Sequence, residues 1–209
     1  MEMPKSYLLP FWVGLMHGDG SIQVNHWRKR CLQYRVVIKL RNHEENVQML
    51  LQIKRVLGGC VSIQKDFVIW VENTRVKVQQ LLQVLKKYPP LTTRLHCQIE
   101  FALLCLEKND VTWYLENRKY KYKSRPKFTD VCRSRAARLL LSSSSNTNCK
   151  CRPTSVRNAW FSGFIEAQGC FSIHKKQENI LKGTVKLRGR VVLGQKFVFY
   201  LLQSILSFL

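Results

Sequence analysis

The sequence predicts an α+β fold in which one unit of helices and antiparallel strands occurs twice. Residues 11–22 and 160–171 are both apolar and compatible with a helix, and both contain an internal glycine. Each then reaches a small residue, a polar residue and a glycine before alternating, strand-like sequence begins. The polar residues are Asp19 and Gln168, and their separation of 149 residues indicates a duplicated domain rather than a short solenoid repeat.

The sequence after the first helix predicts an antiparallel hairpin. Residues 21–25 and 32–40 alternate between polar and apolar side chains, and the basic residues 28–30 suit the turn between them. Such alternation is typical of strands that have one buried and one solvated face. The positions predicted to be buried are Ile22, Val24, Leu32, Tyr34, Val36, Ile38 and Leu40.

The rest of the first unit is predicted to follow in the order helix, two strands, two helices. Gly58 and Gly59 end the first of these helices, and Pro89 and Pro90 separate the last two. The predicted ranges are 44–57 for the helix, 61–72 for the second hairpin, and 76–85 and 95–106 for the closing helices.

The second unit starts in the same way and is predicted to be incomplete. A strand covers residues 171–175, its partner covers 184–193, and a helix begins at residue 199. The second hairpin and the closing helices of this unit are therefore expected to be missing. The predicted division of the chain is a first repeat over 1–110, a basic connector over 111–157 and a partial second repeat over 158–209.

The charge of the chain predicts an anionic partner. There are 35 Lys and Arg against 13 Asp and Glu, which gives a formal net charge of +22. Such an excess repels itself unless a polyanion lies nearby. Because no apolar run reaches the roughly 18 residues that span a bilayer, we expect nucleic acid as the partner and no membrane.

The basic part of the connector holds half of this charge. Residues 118–157 carry a net charge of +11, and residues 117–123 interleave cations with tyrosines. This pattern is typical of phosphate contacts combined with stacking on bases or ribose. A solvated basic tail would have the same composition, and the sequence leaves that alternative open.

The two repeated segments carry a resemblance to a known family. Residues 12–20 read WVGLMHGDG and residues 161–169 read FSGFIEAQG. Both are similar to the nine-residue signatures of the LAGLIDADG homing endonucleases, and the order of the elements is similar as well. The resemblance implies αββαββα repeats that form a saddle of antiparallel sheets on duplex DNA. It also implies that the two signature helices pack together through Gly14 and Gly163.

The same resemblance implies catalytic roles. Asp19 and Gln168 occupy the positions whose side chains hold divalent cations, normally Mg²⁺, between two scissile phosphates. Asn42 and Gln195 occupy positions near the metal-bound water, and Arg94 matches a basic residue that precedes a late helix. Because Gln168 is a neutral amide where the family has an acid, we expect weaker metal binding and impaired cleavage, limited to one strand. Asp19 and the following glycine also suit an ordinary helix C-terminal turn.

Cations and amides, with almost no acids, fill the predicted solvated strand faces. This composition favours a surface that reads the major groove, although a soluble sheet face is an alternative. The predicted nucleic-acid-binding residues are Gln23, Asn25, Arg28, Lys29, Arg30, Gln33, Arg35, Lys39, Arg118, Lys119, Lys121, Lys123, His174, Lys186, Arg188 and Arg190.

Three functions are compatible with the sequence. The first is a Mg²⁺-dependent, site-specific DNA endonuclease that is intron-encoded. The second is an RNA-binding relative that lacks cleavage, such as an intron maturase. The third is a structural component of a ribonucleoprotein such as an organellar ribosome. The resemblance implies an organelle-encoded protein, mitochondrial by preference and chloroplast as the alternative, and it does not choose between DNA and RNA.

Overall fold

In the computed structural model, the described residues are 3–88, 92–123, 153–176 and 186–193. The order of elements confirms the α+β prediction. They are α1 (Lys5–Gly18), β1 (Gly20–Trp27), β2 (Cys31–Arg41), α2 (Glu44–Leu57), β3 (Cys60–Ile63), β4 (Phe67–Glu72), α3 (Arg75–Lys87), α4 (Thr93–Lys108), α5 (Val111–Asn117), a 3-10 turn (Arg118–Tyr120), α6 (Pro153–Gln168), β5 (Gly169–Lys176) and β6 (Lys186–Leu193).

Both predicted hairpins of the first repeat are present and join into one antiparallel sheet. The strand order is β1-β2-β4-β3, so β2 and β4 lie in the centre. In the register, Gly20 pairs with Ile38, and Arg41 pairs with Phe67. The start of β1, the end of β2 and the start of β4 therefore lie at the same end of the sheet, next to the end of α1.

Alternation along β1 and β2 divides the sheet into a buried face and an outward face, as predicted. Ile22, Tyr34 and Ile38 are buried, whereas Gln23 and Arg35, which pair with each other, are exposed. The buried face packs on the helices because these side chains remove apolar surface from water. Its neighbours in the core include Trp12 of α1, whose ring meets Trp70 of β4 edge to face at 6.2 Å.

The segment predicted as a connector begins with a helix that the sequence did not predict. The side chain of Asp110 caps α5 by accepting a hydrogen bond from the amide of Thr112 at 2.7 Å. Tyr114 is buried, and its hydroxyl donates to the carbonyl of Val24 at 2.9 Å. Seven residues are too few for a reliable helical periodicity, so this tertiary anchoring decides the structure.

In the second repeat, α6 begins at Pro153, ahead of the signature, and β5 pairs with β6 as predicted. Residues 124–152 of the connector, Gln195 and the helix predicted from residue 199 lie outside the described residues. Within the described part of the chain, no helix has the length and apolar character needed to cross a membrane.

Candidate active site and nucleic-acid interface

Helices α1 and α6 pack against each other through two glycines. A Cβ at Gly14 would overlap the carbonyl oxygen of Trp160, and a Cβ at Gly163 would overlap that of Phe11. These contacts are mutual, because Phe11 and Trp160 are equivalent positions of the two repeats. The absence of side chains at both glycines lets the two backbones touch. Because the contacts are reciprocal, an approximate two-fold axis relates the two helices.

The same symmetry brings the ends of the two helices together. A Cβ at Gly18 would overlap the Cβ of its equivalent, Ala167. One residue further on, the Gln168 Nε2 donates a hydrogen bond to the Asp19 Oδ1 at 3.2 Å. The two positions predicted as metal ligands are thus adjacent. In this arrangement Gln168 acts as a hydrogen-bond donor to Asp19.

Asp19 lies at the C-terminal end of α1, where it serves as the cap residue. Its amide donates to the carbonyl of Leu15 at 3.0 Å, and its side chain is only partly exposed. Partial burial of the carboxyl group raises the pKa of Asp19, and the positive charge of Arg94 opposes this rise. A carboxylate at a helix C-terminus also meets the negative end of the helix dipole, so it favours a bound cation.

Arg94, near the start of α4, binds the end of α1. Its guanidinium donates to the carbonyl of Gly20 at 2.8 Å and to that of Gly18 at 3.0 Å, with a longer bond to His17 at 3.4 Å. Carbonyls at a helix end have no partner within the helix, so this guanidinium satisfies them. Burial lowers the pKa of Arg94, while Tyr122 and Asp19 raise it. Arg94 therefore places a positive charge beside Asp19 and fixes the turn that carries it.

A buried histidine links the two signature helices behind Asp19. The Trp160 Nε1 donates to the His17 Nδ1 at 2.9 Å, and the two rings lie edge to face at 5.5 Å. Burial, helped by the charge of Arg94, lowers the pKa of His17 to about 3. The imidazole is therefore neutral at physiological pH, which lets its Nδ1 accept the bond.

One polar residue near the site, Gln98, was not identified from the sequence. Gln98 is buried on α4, where its Oε1 accepts a hydrogen bond from the amide of Ile22 at 2.9 Å. The Gln98 Nε2 donates to the Tyr122 hydroxyl at 3.0 Å, which ties the start of the connector to β1. The available signal was an amide among the apolar residues of an amphipathic helix, since a buried amide needs partners.

Among the described residues, the side chain of Asn42 makes no hydrogen bond to Asp19. The Asn42 Nδ2 donates to the carbonyls of Gln64 at 2.9 Å and Lys65 at 3.3 Å, so its side chain holds the turn between β3 and β4. Its predicted role near a metal-bound water has no support from this geometry. Its predicted counterpart, Gln195, is outside the described residues.

The outward face of the four-stranded sheet carries the predicted reading residues of the first repeat. Gln23, Asn25, Arg35 and Lys39 are exposed on this face, and Gln33, paired with Asn25, is half-buried. At the far end from Asp19, the hairpin turn presents three consecutive cations: Arg28, Lys29 and Arg30.

That turn uses an unusual backbone conformation. Arg28 has a φ of 48° and Lys29 a φ of 57°, which is the left-handed region that normally favours glycine or asparagine. The Arg30 amide closes the turn on the Trp27 carbonyl at 2.8 Å, and the Arg28 guanidinium lies 5.1 Å from the Trp27 ring. The cations Arg28 and Lys29 therefore occupy a backbone conformation that glycine adopts more easily.

The described start of the connector pairs cations with tyrosines. Lys119 lies 4.8 Å from the ring of Tyr120, and Lys121 lies 4.7 Å from that of Tyr122. Lys123 and Arg118 are exposed nearby. In the second repeat, the backbone of His174 pairs with Arg188, and the predicted residues Arg190 and Lys186 lie on the same strand, β6.

The side-chain oxygens at the helix ends could bind one hard cation only if other ligands complete its coordination shell. Asp19 supplies one partly exposed carboxylate, and Gln168 supplies an amide that already donates to it. Among the described residues, no group of three His, Cys, Asp or Glu side chains could hold a metal ion. Water and phosphate oxygens would therefore have to provide the remaining ligands.

Comparisons with known proteins agree with this architecture. Residues 12–105 match the family model described as LAGLIDADG endonuclease. The chain is 34% identical over 192 residues to a probable intron-encoded endonuclease aI3 of Dictyostelium citrinum, covering 84% of this chain and 72% of that protein. A protein of the same name from Dictyostelium discoideum is 35% identical over 180 residues, covering 85% and 69%. A longer one from Debaryomyces hansenii is 36% identical over 98% of this chain, which spans only 31% of its length.

Solved structures share the fold. The LAGLIDADG meganuclease I-AabMI bound to uncleaved DNA has a TM-score of 0.61 at 22% identity, over 95% of this chain and 71% of that one. I-SmaMI bound to an uncleaved DNA target in the presence of calcium ions has a TM-score of 0.67 at 16% identity, over 99% and 73%. At these identities the structures establish the fold alone. On the evidence of the family model and the two Dictyostelium relatives, the chain belongs to the LAGLIDADG endonuclease family.

Proposed function

We propose that this chain binds duplex DNA across the outward face of its sheets and cleaves it in an active site formed around Asp19. We propose further that one strand is cut more readily than the other. The observation that carries the proposal is the position of Asp19 at the joined ends of α1 and α6, beside the equivalent Gln168. Two equivalent positions on an approximate two-fold axis suit the two strands of a duplex. Only one of them bears a carboxylate.

The net charge of +22 and the outward cations support a nucleic-acid partner. Duplex DNA is favoured over RNA because the related proteins described above are named endonucleases and the two solved structures contain DNA. None of these is named for RNA binding, so we do not propose an RNA-binding or ribosomal role. The names of the relatives support an intron-encoded gene, and the family resemblance favours a mitochondrial one.

In the proposed reaction each residue at the site has a separate task. Asp19 would hold a divalent cation, which we propose is Mg²⁺ and which would supply positive charge for the phosphate and activate water. Gln168 orients the Asp19 carboxylate through its hydrogen bond to Oδ1. Arg94 fixes the backbone turn through the carbonyls of Gly18 and Gly20. Its charge also favours the ionised form of Asp19.

A plasmid assay tests this function. A random-sequence duplex library is first selected for binding, and the selected sequence is inserted into a supercoiled plasmid. With Mg²⁺ we expect nicked circles to form at least about tenfold faster than linear DNA. The reason is that Gln168, at the position equivalent to Asp19, carries no negative charge. Asp19→Asn should abolish both products, while binding to the target remains.

The control variant is Glu166→Gln, which removes an exposed carboxylate on α6 two residues before Gln168. It should leave both rates unchanged. Equal and efficient cutting of both strands would refute the proposed asymmetry. Cutting by the Asp19→Asn protein would remove Asp19 from the reaction altogether.

A further inference from the structure

We propose that the part of the outward face next to Asp19 recognises thymine, through contacts between an apolar strip and the 5-methyl group in the major groove. The apolar strip consists of Val37 on β2 and of Phe67, Ile69 and Val71 on β4. This inference rests on the proposed binding of duplex DNA and names the base composition that the chain would select.

The four side chains are neighbours on the outward face. Val37 pairs with Val71 in the register of β2 and β4. Ile69 and Phe67 lie two and four residues before Val71 on β4, so their side chains point to the same face. Phe67 is 38% exposed, and the other three are partly exposed. The intervening residues of β4 are buried on the other face, so the strip is not part of the core.

The strip lies at the end of the sheet that adjoins the active site. Gly20 follows Asp19 directly and pairs with Ile38, the residue after Val37. The pairing of β2 with β4 then runs as far as Arg41 and Phe67. The polar residues Asn25 and Gln33 lie toward the opposite end, near the hairpin turn. The apolar residues of the outward face therefore lie toward Asp19, and these two amide side chains lie toward the hairpin turn.

The charges around the strip favour a polyanion over a protein surface. Arg35, Lys39 and Arg41 are exposed and alternate with Val37 along β2. The Lys39 Nζ lies 3.8 Å from the centre of the Phe67 ring. No acidic residue is exposed on β2 or β4 within the described residues. Cations of this kind can contact phosphates on either side of a groove while the strip faces the bases.

The dimensions and the chemistry agree with thymine as the contact. From Phe67 to Val71 a strand rises about 13 Å, which is about four base-pair steps. On the major-groove edges of the four bases, the thymine methyl is the apolar group, and side chains that lack hydrogen-bonding atoms discriminate by contacting it. Across the sheet from Ile69 and Val71, Ser62 and Cys60 are small and leave room for close approach.

Replacing thymine with uracil tests the inference, because uracil lacks only the methyl group. The full 209-residue chain is used to select from a random duplex library, and A·T pairs should be enriched within about four positions on one side of the centre. The selected duplex is then made with uracil at those positions. Affinity should fall about fourfold for each methyl removed, whereas uracil at more distant positions should have little effect.

Two variants provide an independent readout. Ile69→Thr and Val71→Thr keep the β-branched shape but place a hydroxyl in the strip, and each should reduce the preference for thymine over uracil. Val76→Thr is the matched control, since Val76 is 62% exposed on α3 and away from this face. It should keep the full preference. Because the uracil comparison needs no variant, it remains decisive if a variant fails to fold.

The outcomes separate this inference from the function on which it rests. Tight, selective duplex binding with equal affinity for thymine and uracil would refute the inference and leave the proposed function standing. Failure to select any duplex would overturn both. A dimer of the chain that duplex DNA does not dissociate would assign the strip to a second copy and refute the thymine contact.

Discussion

At the residue scale, the chemistry of the site depends on what stands opposite Asp19. The Gln168 Nε2 lies 3.2 Å from the Asp19 Oδ1, a distance at which two carboxylates would repel each other strongly. A neutral amide removes this repulsion and turns the contact into a hydrogen bond. The contact between Asp19 and Gln168 therefore needs no bound cation. The site also lacks the second negative charge that would attract a cation.

Gln168→Glu is predicted to restore that charge. Mg²⁺ should bind at least about tenfold more tightly, because a second carboxylate within a few ångströms adds a favourable Coulomb interaction. Without Mg²⁺ the same variant should be less stable than the parent protein at neutral pH, owing to the new repulsion. Thermal unfolding during a Mg²⁺ titration measures both effects. If Mg²⁺ stabilised the variant and the parent protein equally, position 168 would not contribute to cation binding.

The buried histidine predicts a dependence of stability on pH. The pKa of His17 is lowered from 6.5 to about 3 in the folded chain. At pH values between these two, the imidazole is protonated in the unfolded chain and neutral in the folded chain. Folding stability contributed by neutral His17 is complete above pH 6.5 and is lost as the pH falls toward 3. Between pH 8 and pH 5 the loss from this group should be about 2 kcal/mol.

Urea unfolding at several pH values checks this expectation. His17→Gln should flatten the dependence between pH 8 and pH 5, because the glutamine does not titrate and keeps an oxygen that can accept from Trp160. His43→Gln, which replaces an exposed histidine before α2, is the control and should keep the loss. An unchanged pH dependence in the His17 variant would show that another group is responsible.

At the scale of elements, the pairing of α1 with α6 determines whether a shared site exists. The contact is made by backbone atoms at Gly14 and Gly163, and it holds Asp19 beside Gln168. Most helix pairs are kept 8–10 Å apart by their side chains. Here a single added methyl group on either glycine meets a carbonyl oxygen, which cannot turn aside as a flexible side chain can.

Gly14→Ala is therefore expected to destabilise the chain, although alanine favours a helix over glycine. We predict an overpacking cost of about 3 kcal/mol, because the contact is with backbone, and a gain of about 1 kcal/mol from helix propensity, which leaves a net loss of about 2 kcal/mol. Cleavage should fall more than DNA binding, since the displaced helices separate position 19 from position 168.

The free energy of unfolding and the cleavage rate of this variant are measured beside those of Ser162→Ala. Ser162 neighbours Gly163 but is exposed, so its variant should lose much less stability. A Gly14→Ala protein with unchanged stability and cleavage would show that the helices are not held together through these backbones.

At the scale of the whole molecule, charge is the dominant property. The cations behind the net charge of +22 include those of the outward face, the hairpin turn and the connector, and there are few acids to offset them. Cations that contact phosphates release counterions when DNA binds, so affinity depends on salt concentration. The fold places the exposed cations Arg35 and Lys39 on the outward face of the sheet.

Binding to duplex DNA should weaken by about 10³-fold or more between 50 mM and 200 mM salt, as expected for six or more phosphate contacts. Replacing Arg28 and Lys29 together with glutamine should reduce the slope of log affinity against log salt by about two. Fluorescence anisotropy at a series of salt concentrations measures both quantities.

The matched control replaces Lys54 and Lys86, which are exposed on helices α2 and α3 on the other side of the sheet, with glutamine. It removes the same net charge and should leave the slope nearly unchanged. A slope that changed equally in both double variants would indicate a diffuse charge effect instead of phosphate contacts at the turn.

Features that depend on local patterns could be predicted from the amino-acid sequence. The alternation from Ser21 to Leu40 defined the first hairpin and its two faces, because side chains in a strand point alternately to opposite sides. Gly58 and Gly59 marked the end of α2, where both have positive φ values. The duplicated signature placed Asp19 and Gln168 at equivalent positions, and symmetry made them neighbours.

The polar contacts between distant parts of the chain became known from the folded structure. Arg94 binds the carbonyls of Gly18 and Gly20, Gln98 joins the amide of Ile22 to Tyr122, and Tyr114 anchors α5 to β1. These bonds link residues that are 24 to 90 positions apart. No local pattern encodes them, because a buried polar group must be satisfied by whichever partner the packing of the chain brings within reach.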